Sequence, residues 1–147
     1  MVKIYFDLCA IQRPLDTANQ IRIILESEAV LGLLSVCESG QAELISSEAL
    51  MYEAEQSTLP IRREHSNAVL EKSKEMIFIT EKEKSRALNF LKLGINPLDA
   101  LHLALAESGQ ADYFCTCDDN ILKKSKLIID SKVKVISPVD LVQEIEK

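Results

Sequence analysis

The sequence predicts an α/β fold, a parallel sheet with helices on both faces, and three observations predict it. Short apolar runs suited to buried strands alternate with longer segments of helical periodicity. Two of those runs end in acids: Val2-Lys3-Ile4-Tyr5-Phe6 leads into Asp7, and Tyr113-Phe114-Cys115-Thr116-Cys117 leads into Asp118-Asp119. The four prolines and four glycines fall almost entirely at element boundaries, so they punctuate the chain without breaking its elements.

Taken in order, the first strand spans residues 2–7, fully apolar over Ile4 to Phe6 and free of Pro and Gly, as a central strand requires. A loop containing Arg13-Pro14 leads to a long helix at about 17–38. That helix carries Ile21, Ile23, Ile24, Leu25, Val30, Leu31, Leu33, Leu34 and Val36, more than one core-facing stripe requires. Burial on two sides, inside the domain or against a second subunit, is expected of it. A strand at 42–46 precedes helices at 47–56 and 60–75, the second opened by Pro60, and Met76-Ile77-Phe78-Ile79 forms the next strand. Thr80 with Glu83 is a capping-box pattern at the head of a helix over 81–93. Asn96-Pro97, a cap followed by proline at the first helical position, opens a helix over 97–108. A strand at 113–117, a short helix at 119–126, a strand at 133–136 and a last helix at 138–146, capped by Ser137 before Pro138, complete the chain. Gly40, Gly94 and Gly109 follow helices, where a left-handed residue commonly ends them.

Bulk properties bound the function. The 147 residues predict one domain, 1–147, with a single core. Apolar residues make up 47% and charged residues 27%, the balance of a globular protein. No stretch approaches ~20 uninterrupted apolar residues, and Asp7 interrupts the short apolar start, so neither a membrane span nor a secretory signal is expected. A cytoplasmic location follows. The four cysteines, Cys9, Cys37, Cys115 and Cys117, make no metal quartet and read as reduced, buried thiols. A net charge of −6 argues against gripping nucleic acid by bulk electrostatics. Acids gathered in one pocket and neutralised by divalent cations would still be compatible with nuclease chemistry.

Four acids are candidate site residues: Asp7, Glu53, Asp99 and Asp118. A carboxylate at the carboxyl end of a strand points into the crevice where open α/β sheets bind ligands. Buried there, it needs a metal, a cation or a hydrogen-bond network. Asp118 also suits a cap of the following helix, Asp99 sits where an acid favours the helix dipole, and Glu53 suits a solvated helix face. The joint occurrence of all four distinguishes the site from separate caps. Mg²⁺ and Mn²⁺ favour such oxygens, and one or two ions would orient water against a phosphodiester. His102 shares a helix face with Asp99 and reads as a hydrogen-bonded core histidine or an alternate ligand, whereas His65 reads as a surface residue.

At these residues the chain resembles the PIN-domain family. The matching pieces are Ile4-Tyr5-Phe6-Asp7, Ile45-Ser46-Ser47-Glu48-Ala49-Leu50-Met51-Tyr52-Glu53, Pro97-Leu98-Asp99-Ala100-Leu101-His102-Leu103-Ala104 and Thr116-Cys117-Asp118. The resemblance implies a Rossmann-like three-layer α/β/α sandwich with a parallel, roughly five-stranded sheet. It also implies a Mg²⁺- or Mn²⁺-dependent ribonuclease pocket in which Asp7, Glu53, Asp99 and Asp118 are catalytic, metal-binding acids. Thr116 would then orient an acid or a metal-bound water, and Asp119 would share or replace the role of Asp118. Leu8-Cys9 stands where many members carry Thr-Asn.

Many PIN proteins are homodimeric toxins of toxin–antitoxin modules, so the resemblance implies an RNA substrate, a homodimer and an antitoxin partner. Arg13, Arg62, Arg63, Lys123, Lys124 and Lys126 are the cations available for RNA, or are ordinary solvated charges. Two other classes compete. One is a catalytically silent PIN-fold interaction or RNA-binding module, which Leu8-Cys9 favours. The other is a phosphotransfer protein using Asp7, which lacks the second acid two residues on that the aspartate-nucleophile type uses.

Overall fold

The computed structural model describes residues 1–146. Among them, five strands form one parallel sheet in the order β3-β2-β1-β4-β5, with β1 at Val2–Phe6, β2 at Ala42–Ser47, β3 at Glu75–Ile77, β4 at Tyr113–Cys115 and β5 at Lys134–Ile136. The chain moves outward from β1 through β2 to β3, then returns to the other side of β1 for β4 and β5. Strand order therefore reverses between β1 and β4, and the crevice beyond their carboxyl ends is where such sheets bind ligands. Tyr5 is in register with Ile45 on one side and Phe114 on the other.

The apolar composition of β1 follows from this central place. Ile4, Tyr5 and Phe6 are all fully buried, and successive strand residues face opposite sides, so both faces of the sheet are covered. The covering helices are α1 (Leu8–Gln12), α2 (Ile21–Glu38), α3 (Glu48–Glu55), α4 (Pro60–Leu70), α5 (Glu81–Leu91), α6 (Pro97–Ser108), α7 (Asp119–Lys124) and α8 (Pro138–Glu146). In this packing α5 lies against α6, α3 against α4 and α6, and α2 against α8. Local chemistry places several helix starts as expected. Thr80 and Glu83 form the full capping box of α5, Asn96 accepts from Asp99 N to cap α6, and Ser137 accepts from Asp140 N at 3.2 Å.

Several expectations are corrected. Residues 8–15 are not a loop: α1 follows Asp7 directly, and Arg13–Leu15 form a 3-10 turn. Pro14 lies in the first turn of that element, where its missing N–H costs nothing. The long helix begins at Ile21, not at 17. Among the described residues its apolar surplus is not covered twice. Val30, Leu33 and Cys37 are buried, while Ile21, Ile24, Leu25 and Leu31 are exposed. The helix from Pro60 ends at Leu70, short of 75. The third strand starts at Glu75 and leaves the exposed Phe78 outside it, as suits a short edge strand. The fourth strand ends at Cys115, although Thr116 N still donates to Ile136 O at 3.0 Å. Cys9 is exposed, while Cys37, Cys115 and Cys117 are buried free thiols. His65 is half-buried and its Nε2 lies 2.9 Å from Ile11 O.

Gly109 is corrected as well. Gly40 and Gly94 take left-handed backbones at φ of 85° and 87°, but Gly109 has φ of −81°. Its glycine is required by close approach: an added Cβ would meet Ile77 Cδ1 at 2.9 Å and Ile45 Cδ1 at 3.0 Å. Gly109→Ala is accordingly expected to lower unfolding stability by about 1–3 kcal/mol, the usual cost of overpacking, measurable by urea denaturation.

Candidate metal centre

Asp7 is the first residue after β1, and its position follows from the ladder: Asp7 N donates to Cys115 O at 2.9 Å. Its side chain caps α1, with Oδ1 accepting from Leu8 N at 2.9 Å. Oδ2 accepts from Thr116 Oγ1 at 2.8 Å and contacts Cys9 Sγ at 3.3 Å. Thr116 Oγ1 also accepts from Asp118 N at 3.1 Å. One hydroxyl therefore joins the two acid-bearing strand ends across the crevice. Only 6% of Asp7 is exposed. Burial raises its pKa, against the opposing effects of His102 and of the Thr116 hydrogen bond.

Glu53 lies on α3 and His102 on α6, and the two side chains meet: His102 Nε2 is 3.1 Å from Glu53 Oε1. The other ring nitrogen, Nδ1, is 2.6 Å from Tyr5 Oη, which is also 2.6 Å from Ser47 Oγ. Asp7, Glu53 and His102 each bring one ligand atom into a group whose members all lie within 4.8 Å of one another. The Asp7 and Glu53 carboxylate oxygens suit Mg²⁺ or a divalent ion of the first transition row, with the His102 nitrogen a third candidate donor beside them.

Asp99 and Asp118 stand around this group. Burial, and then the negative charges of Asp7 and Asp118, push the Asp99 carboxyl up to about 6, with Glu53 adding to the effect and His102 opposing it. Asp99 and Asp118 are not among the residues whose ligand atoms lie within 4.8 Å of one another, but Asp99 feels the charges of Asp7, Asp118 and Glu53, which a dication would offset. Asp99 Oδ2 also accepts from Asn96 Nδ2 at 2.8 Å. Asp118 doubles as the N-cap of α7, its Oδ1 accepting from Asn120 N at 2.9 Å. Asp119 is held elsewhere, in a bidentate pair with Arg22 at 2.7 and 2.8 Å, which lowers its pKa.

The shift of Asp99 sets a pH dependence for the metal-free protein. Its carboxyl titrates near 6 in the folded chain against an ordinary 3.8, so the folded state holds that proton more tightly than the unfolded one. Stability from this group therefore rises as pH falls from above 6 towards 4, and is lost again as pH climbs through 6. With chelator present, Asp99→Asn should raise stability at pH 8 by about 1 kcal/mol, after allowing for partial solvent screening and the lost helix-dipole interaction. Thermal unfolding across pH would show that gain vanishing near pH 4.

The cations expected to meet RNA divide into groups. Arg13 and Arg62 line an open cavity of about 320 Å³ together with Cys9, Cys117 and Asp118, and both pair with Asp16, at 2.9 and 2.7 Å. Lys123 and Lys126 line a different groove beside Asp119. Arg63 donates to Ser57 O and Lys124 to Gly94 O.

The PIN domain family model matches residues 8–127. The chain belongs to the PIN-domain family. Solved structures agree with this PIN fold. FitAcB from Neisseria gonorrhoeae is similar with a TM-score of 0.59 at 14% identity, over 92% of this chain and 97% of that one. VapBC2 from Rickettsia felis, bound to a DNA fragment from their promoter, gives 0.61 at 10% identity, over 92% and 98%. DNA-bound VapBC from Salmonella typhimurium gives 0.57 at 14%, over 94% and 99%. No curated protein sequence matches the chain.

Tyr5 and Ser47 were not among the site residues drawn from the sequence. The available signal was a hydroxyl within the apolar stretch Ile4-Tyr5-Phe6 and another directly after Leu44-Ile45-Ser46, at the carboxyl end of the neighbouring strand. Such a group, once buried, needs a partner.

Proposed function

We propose that this PIN domain is a divalent-metal-dependent ribonuclease, acting as the toxin of a toxin–antitoxin module in the cytoplasm. The observation that carries the reading is the buried Asp7 carboxylate grouped with Glu53 and His102 at the reversal point of the sheet. Asp7 and Glu53 would hold Mg²⁺ or Mn²⁺, with Asp99 and Asp118 completing the site directly or through water. When bound, the ion supplies Lewis-acid polarisation of a phosphodiester and an activated water. The chain's own residues do the rest. Thr116 fixes Asp7 through Oδ2, Leu8 N fixes it through Oδ1, and Asn96 holds Asp99 at the pocket edge. Arg13 and Arg62, beside Asp118, would meet phosphates entering along the rim.

The toxin assignment rests on the resemblance to toxin-type PIN proteins and on the fold shared with VapBC and FitAcB. The exposed Ile21, Ile24, Leu25 and Leu31 on α2 supply an apolar face for a second copy of the chain or for an antitoxin. Among the described residues no helix is long and apolar enough to cross a membrane.

One contact favours the silent-module reading. Cys9 Sγ lies 3.3 Å from Asp7 Oδ2, beside an oxygen an ion would use. Incubating the protein with a broad RNA panel and Mn²⁺, with and without chelator, separates the two. Cleavage that chelator abolishes supports the nuclease, and intact RNA throughout rejects it.

A further inference from the structure

Behind the acidic group runs a buried hydrogen-bonded chain, Ser47–Tyr5–His102–Glu53, drawn from β2, β1, α6 and α3. Ser47, Tyr5 and His102 are all fully buried, and the Tyr5 hydroxyl carries one proton, which can serve only one of its two neighbours. Suppose Tyr5 donates to Ser47. Ser47 Oγ, already accepting from Leu50 N at 3.1 Å, then accepts twice, and His102 Nδ1 must donate to Tyr5. A neutral ring would then turn its Nε2 lone pair on Glu53 Oε1 at 3.1 Å, acceptor against acceptor. For a ring carrying one proton, only the opposite order gives every contact a donor and an acceptor; a doubly protonated ring would satisfy Glu53 in the first order as well, and the nitrogen-15 spectra below separate the two. Ser47 donates to Tyr5, Tyr5 donates to His102 Nδ1, and His102 Nε2–H donates to Glu53 Oε1.

We propose that His102 is a positioning residue: Tyr5 and Ser47 fix it as the Nε2–H tautomer, and it holds one oxygen of Glu53 so that the other faces the divalent ion. This rests on the metal-binding reading above and adds to it that His102 is not itself a ligand. The affinity of the site for its ion then depends on two hydroxyls that never touch the ion. Partners at this remove orient a ligand by removing its freedom to turn, and their loss weakens metal binding about 10–100-fold.

The test is Mn²⁺ titration of the full chain, read by the electron paramagnetic resonance signal of free Mn²⁺, for wild type, Tyr5→Phe, His102→Asn and His102→Gln. Asparagine places its amide near the position of Nδ1, keeping Tyr5 but not reaching Glu53. Glutamine reaches the position of Nε2. Tyr5→Phe and His102→Asn should bind Mn²⁺ about 10–100-fold more weakly, and His102→Gln should recover to within roughly threefold of wild type. Tyr5→Phe keeps its ring stacked on Phe114, so the test survives if the histidine variants do not fold. Nitrogen-15 spectra of the metal-free wild type should show His102 protonated at Nε2 only. A proton at Nδ1, variants that bind like wild type, a glutamine as weak as asparagine, or direct histidine nitrogen coupling to bound Mn²⁺ would each overturn the proposal. Failure of wild type to bind Mn²⁺ would instead remove the metal reading on which it stands.

Discussion

Replacing Asp7 by asparagine is expected to lower metal-dependent RNA cleavage at least about 100-fold, equivalent to about 2.7 kcal/mol of transition-state stabilisation, with the fold intact. The asymmetry follows from what the carboxylate does. As a cap of α1 it accepts from Leu8 N through Oδ1, and asparagine caps about as well as aspartate. The Thr116 hydroxyl can rotate to accept from the new amide. What asparagine cannot supply is a negative oxygen at Oδ2, the atom on which Thr116 and Cys9 converge. Removing a charge that is only 6% exposed also relieves its desolvation. Stability is therefore expected to stay within about 1 kcal/mol of wild type. Initial cleavage rates and a thermal melt on the same preparation check both halves. Wild-type cleavage by Asp7→Asn would remove Asp7 from the machinery.

The second large effect lies one layer deeper. Phe114 is fully buried on β4, next to the central strand, and its ring stacks on Tyr5 at 5.4 Å between centroids with 13° between planes. Phe114→Ala should cost about 3–5 kcal/mol, the transfer term of the lost ring plus that of the cavity it leaves. A chain of ordinary marginal stability would lose a large share of its folding free energy. The ring also supports Tyr5, so the variant should lose order around His102 and Glu53 in conditions where it still folds. Chemical denaturation measures the first effect. The second should appear as broadened imidazole resonances of His102.

The site was legible to the extent that local patterns carry it. Asp7 ends a run of three fully buried residues, and an acid there is costly enough to demand a partner. Pro97 and Asn96 marked the start of α6, which carries Asp99 and His102 one turn apart. The family resemblance supplied the order of the four acids. What the patterns did not carry were choices between equivalent partners. Asp118 and Asp119 are adjacent and alike in type, yet Arg22, 97 positions from Asp119, pairs with the second of them. His65 read as a surface residue until Ile11 O met its ring. The glycine at 109 does end α6, but the left-handed backbone falls on Gln110 at φ of 58°, and what crowds Gly109 are Ile45 and Ile77 on two strands.

By itself the sequence determined the alternation of strands and helices, the caps that start α5, α6 and α8, and the placing of acids at two strand ends. These depend on periodicity, backbone restriction and hydrogen bonds spanning only a few residues. Only the tertiary structure decided that β4 lies beside β1, so that Thr116 reaches Asp7, and that His102 sits between Tyr5 and Glu53. Those contacts span 49 to 109 positions of chain. Nothing in the neighbouring residues encodes them, because long-range contacts are set by how the whole apolar surface packs.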